Sequence, residues 1–145
     1  MTSREAQKYN IMKTNKDFLY SDLTYKIRGA IFAVWKELGP AFKEPIYQKA
    51  LEKELSKRDI PFINQQQIEI IYDNKKIGIY KPDFIIEDKI LIELKVLPKI
   101  TKLEEKQIWY YLKGTKYKLA LLVNFGGQKL QIKRWIYDKA REKYN

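Results

Sequence analysis

The sequence predicts an α/β domain built on a central mixed β-sheet flanked by α-helices. Three observations carry that reading. Apolar residues recur at helical spacing from Leu23 to Leu55, the period drops to two from Gln67 to Leu97, and the unbroken apolar run LALLVNF follows a further helical stretch. Helices at both ends of a block of strands need a sheet to bury their apolar stripes.

The opening twenty or so residues are polar and weakly patterned, and are read as an N-terminal tail or added helix over 1–21. From Leu23 onward, Ile27, Ile31, Val34, Trp35 and Leu38 share a helix face, and Gly39-Pro40 stops the run. A second helix starts near Pro45, a residue tolerated in a first turn, and turns Ile46, Tyr47, Ala50, Leu51 and Leu55 inward. QIEIIYDNKKIGIY then reads as two strands joined at Asp73-Asn74, and FIIEDKILIELKVL as two more that turn at Glu87-Asp88. Thr101 and Glu104 form a capping box that opens a third helix, ending at Gly114. LALLVNF suits a strand buried on both faces. Gly126-Gly127 turns the chain into KLQIKRWI, read as strand or helix, with a short basic helix to close the chain. Residues 22–145 are thus expected to be one domain with a basic C-terminal segment.

Composition narrows the chemistry. Of 145 residues, 45% are apolar, enough for a core without disulfides, and the chain has neither Cys nor His. Catalysis by Ser-His-Asp or Cys-His is therefore excluded, as are thiolate and imidazole zinc sites. Carboxylates remain, and these hold hard cations such as Mg²⁺ or Mn²⁺. The 29 Lys and Arg against 18 Asp and Glu leave a formal charge of +11. That charge fits a polyanionic partner, nucleic acid above all, or else simply a lysine-rich composition. No run approaches the ~18 apolar residues of a membrane span or the apolar core of a signal peptide. The expectation is a cytoplasmic protein with no membrane partner.

One constellation carries chemistry. Glu93 and Lys95, two apart on a strand, project to one face while Leu94 faces the other. With the turn at Glu87-Asp88, antiparallel pairing brings Asp83 within reach of Glu93 or its neighbours. A Glu-x-Lys pair is commonly a solvated face. Ile90, Leu91, Ile92, Leu94, Val96 and Leu97 make this an apolar strand, however, and buried charges are costly unless paired or bound to metal.

Pro82-Asp83, nine residues, then Glu93-Leu94-Lys95 resembles the PD-(D/E)xK nuclease superfamily. More narrowly, KELGPAFKEPIYQKALEKEL, IGIYKPDFIIEDKILIELKVL and KQIWYYLKGTKYKLALLVNF resemble the GxxExxY proteins, over roughly Leu23 to Trp135. The glycine of that name falls on Ala41, whereas Glu44 and Tyr47 are kept.

The resemblance implies a restriction-endonuclease-like core and a metal-dependent nuclease acting on DNA in preference to RNA. Asp83 and Glu93 would hold one or two Mg²⁺ or Mn²⁺ ions, and Lys95 would position or activate the attacking water. It further implies Glu44 as a metal ligand, and Gln107 and Tyr111 as residues beside the active site. The alternatives are plain ones. Glu44 also suits a helix N-terminus, and the Gln107–Tyr111 pair an ordinary amphipathic helix. The segment from Lys129 to Asn145, six basic residues against two acidic with Trp135, Tyr137 and Tyr144, reads as a nucleic-acid contact or a docked amphipathic helix. Rival functions are a nucleic-acid-binding module on the same fold, a subunit completed by a protein partner or homo-oligomer, and a non-nucleic-acid phosphoesterase.

Overall fold

The computed structural model describes residues 19–138 together with Arg4. The elements are α1 (Ser21–Leu38), α2 (Glu44–Lys57), β1 (Phe62–Asn64), β2 (Ile68–Tyr72), β3 (Lys75–Tyr80), β4 (Phe84–Ile86), β5 (Ile90–Lys95), α3 (Lys102–Lys113), β6 (Leu119–Asn124) and β7 (Gln131–Ile136). Five strands form a mixed sheet in the order β1-β4-β5-β6-β7, and β2 pairs with β3 in a separate ribbon. Only β5 and β6 run parallel, and α3 is the crossover that this pairing requires. This is the expected mixed α/β architecture, a restriction-endonuclease-like core.

Strand alternation divides the core into two layers. Ile90, Ile92 and Leu94 of β5 join Leu119, Leu121 and Val123 of β6 under α1 and α2, where Ile27, Ile31, Leu51 and Leu55 meet them. Leu91, Ala120 and Leu122 point the other way, towards Ile108 and Leu112 of α3 and Tyr80 of the ribbon. Glu93 and Lys95 have the parity of Leu91, so they face α3 and the ribbon.

Local signals settle where the chain turns. Asp73 and Asn74 both have positive φ, as a two-residue hairpin turn requires, and Glu87 and Asp88 do so in the second hairpin. The Thr101 amide donates to Glu104 Oε2 at 3.0 Å and starts α3.

Four details depart from the sequence reading or complete it. Ile46, expected inward, is 44% exposed because it lies beside the buried stripe Tyr47–Leu51–Leu55. Three-residue β1, which no alternation announces, pairs antiparallel with β4 at the sheet edge. KLQIKRWI resolves as a strand, antiparallel to β6. The 1–21 tail up to residue 18, Arg4 excepted, and the closing basic helix at 139–145 lie outside the described residues.

Candidate active site

The site is assembled where β4 begins and β5 ends. Phe84 pairs with Ile92, which puts Asp83 opposite Glu93. Two hydrogen bonds then cross the strands. The Leu94 amide donates to Asp83 Oδ2 at 2.7 Å, and the Asp83 amide donates to Glu93 Oε1 at 3.3 Å. Each carboxylate is thus held by the other's strand. Pro82, which has no amide proton, directly precedes this exchange.

Two residues that the sequence reading passed over complete the support. The Tyr80 hydroxyl donates to Glu93 Oε1 at 2.8 Å. Gln65 Nε2 donates to Asp83 Oδ1 at 3.2 Å. Tyr80 also lies flat against Tyr111, with ring centroids 3.8 Å apart and planes 5° from parallel. Tyr80 closes an alternating strand and Gln65 sits in a run of three glutamines, so neither stands out along the chain. Only the fold gives them a partner.

Beside this pair opens a cleft of about 300 Å³, lined by Glu93 and Lys95 of β5, Tyr80 and Lys81 after β3, and Gln107 and Tyr111 of α3. Gln107 and Tyr111 stand one turn apart on the same helix face. The structure therefore brings Asp83, Glu93, Lys95, Gln107 and Tyr111 into one neighbourhood. Glu44 approaches from the first turn of α2 and feels the charges of Asp83 and Lys95, but it does not line the cleft. Tyr47 serves packing: it is fully buried, stacks on Phe125 at 4.4 Å, and its hydroxyl donates to the Gly39 carbonyl.

Electrostatically the site carries excess negative charge. Burial, reinforced by Asp83, pushes the Glu93 carboxyl up to about 8, against the opposing hydrogen bond from Tyr80. Burial also raises Asp83, although the Leu94 amide, Gln65 and Lys95 oppose it. Glu44 is raised by burial and then by Asp83. Half-buried carboxylates that destabilise one another favour a bound cation.

Among the described residues, no three acidic side chains already form a closed metal cage. The donor set nevertheless fits Mg²⁺ or Mn²⁺, since Mg²⁺ is commonly held by one or two carboxylates, with water and substrate phosphate completing its shell.

Comparison with known proteins agrees with this geometry. The family model described as the PD-(D/E)XK nuclease superfamily matches residues 21–135, a span from the start of α1 to the end of β7 that includes every site residue named above. No curated protein and no solved structure matches the chain.

Proposed function

The chain belongs to the PD-(D/E)XK nuclease superfamily, and from that premise we propose that it is a metal-dependent nuclease hydrolysing DNA phosphodiester bonds. The observation that carries the proposal is the reciprocal clasp of Asp83 and Glu93 at the mouth of a cleft that also holds Lys95. The likeness of KELGPAFKEPIYQKALEKEL to the GxxExxY group supports a finer placement, with residues 22–145 as one nuclease-like domain.

In this reading Asp83 and Glu93, assisted by Glu44, hold Mg²⁺ or Mn²⁺. The ion, when bound, neutralises phosphate charge and lowers the pKa of attached water. The remaining roles belong to the chain. The Lys95 ammonium faces the same cleft as Glu93 and donates to the scissile phosphate as negative charge develops on it. Tyr80 and the Asp83 amide occupy Glu93 Oε1 and so leave Oε2 for the ion. Gln107 and Tyr111 form the opposite wall, where Gln107 is placed to position the nucleic acid and Tyr111 braces Tyr80.

The test is cleavage of labelled single-stranded, duplex and plasmid DNA in Mg²⁺, Mn²⁺ or EDTA, with Asp83→Asn and Lys95→Ala alongside. Metal-dependent cleavage that falls about 10²-fold or more in either variant is expected. Intact DNA in every lane would refute an active enzyme under those conditions. One observation favours a second reading, a nucleic-acid-binding module on this fold: only two carboxylates clasp each other directly. That module would bind DNA equally well with and without EDTA.

A further inference from the structure

On the far side of the sheet from the cleft, α1 displays an outward stripe that the core does not use. Tyr25, Arg28, Gly29 and Phe32 follow one another at helical spacing, and with Lys26, Arg58 and Ile60 they line an open groove of about 640 Å³. Tyr25 is 80% exposed and Phe32 53% exposed. Large rings so open to water, on a helix whose other face is fully buried, are an unusual use of apolar surface.

The charges in the groove are all of one sign: it is lined by Lys26, Arg28 and Arg58 and by no carboxylate. Arg58 pairs with Glu54 one turn back, at 3.3 Å, whereas Lys26 and Arg28 have no ion-pair partner among the described residues. Gly29 shapes the floor. A side chain there would begin 3.2 Å from the Arg58 guanidinium, so the missing Cβ lets Arg58 lie against α1 between the two rings.

We propose that this α1 stripe is a second nucleic-acid-binding surface, which takes a single strand running beyond the cleft. Tyr25 and Phe32 offer faces on which bases stack, and Lys26, Arg28 and Arg58 meet the phosphates. Base stacking on aromatic rings tolerates any sequence, and interleaved cations hold the backbone. Charge complementarity selects this occupant over a second copy of the chain. Two copies docked through this groove would set like charges against one another, on chains that each carry +11. The surface goes beyond the nuclease reading and stands even if that reading fails, because it needs neither metal nor Asp83.

The experiment uses full-length protein in EDTA and fluorescence anisotropy with labelled oligo-dT of about 6 and about 30 nucleotides. Lys26→Gln with Arg28→Gln and, separately, Tyr25→Ser with Phe32→Ser are compared with the unaltered chain. Lys49→Gln with Lys53→Gln, on exposed α2 positions outside the groove, removes the same charge as a control. All these positions except Arg28 are exposed, and a melting curve for each variant verifies folding.

The expected result is a loss of affinity of about tenfold for the long strand in both groove variants, with the short strand and the control little changed. In the charge variant the salt dependence of binding should flatten by about 1.4, the value for two phosphates released on a single strand. Equal loss in the control would reduce the effect to general charge and overturn the proposal. So would unchanged long-strand binding, or an acidic protein captured where no strand binds.

Discussion

Glu93 is the residue on which the site turns. Its Oε1 accepts from Tyr80 and from the Asp83 amide, and its carboxyl is pushed up to about 8. Two predictions belong at this scale. First, Tyr80→Phe removes the hydroxyl that fixes the Glu93 carboxylate yet keeps the ring stacked on Tyr111. Partners of this kind are worth about 10–100-fold in metal affinity, so Mn²⁺ titration calorimetry should show a weakening in that range. An unchanged affinity would assign Tyr80 to packing alone. The second concerns pH. Glu93 holds its proton more tightly folded than unfolded, so its contribution to stability is complete below about 4.5 and is lost as pH rises through about 8. Metal-free protein should accordingly unfold at progressively lower urea as pH rises over that window. Glu93→Gln, which cannot titrate, should remove most of this slope.

Among the elements, the β5–α3 connection decides where Lys95 points. Asn124, fully buried at the end of β6, receives the Leu97 amide at 2.9 Å and donates to the Leu97 carbonyl at 2.9 Å. Its side chain also donates to Gln131 Oε1 at 3.1 Å, and that oxygen accepts the Ile100 amide. Gly126 is required beside it, because a Cβ there would stand 2.5 Å from the Leu97 amide nitrogen. Gly126→Ala must therefore displace the loop just after Lys95. We expect a loss of about 1–3 kcal/mol in urea unfolding, with a fall in cleavage rate as Lys95 shifts. Ala at Gly78, where nothing lies within 4 Å, is the matched control.

For the whole molecule, the relevant quantities are charge and linkage. A formal +11 makes association with nucleic acid depend steeply on salt, and binding of unaltered protein should weaken markedly between 50 and 200 mM salt. A cation held by Asp83 and Glu93 only in the folded chain stabilises it by mass action. Mn²⁺ at one hundred times its dissociation constant should add about 2.7 kcal/mol to unfolding, and Asp83→Asn should abolish the gain. A gain of equal size in the variant would move the metal elsewhere. Among the described residues no helix is long and apolar enough to cross a membrane.

The sequence by itself determined what is local and periodic. Helical spacing in α1 and α2, the capping box of α3, the two hairpin turns and the unbroken run of β6 are each written in neighbouring residues, and each formed where it was read. The meeting of Asp83 with Glu93 was legible for the same reason: one hairpin turn fixes their register. The tertiary structure decided what depends on distant chain. The edge strand β1 exists because β4 offers it a partner, the β2–β3 ribbon stands apart from the main sheet, and Tyr80 and Gln65 reach the carboxylates only once these elements dock. Short-range patterns set secondary structure, whereas the neighbours of a buried carboxylate are chosen by packing, which no sequence period records.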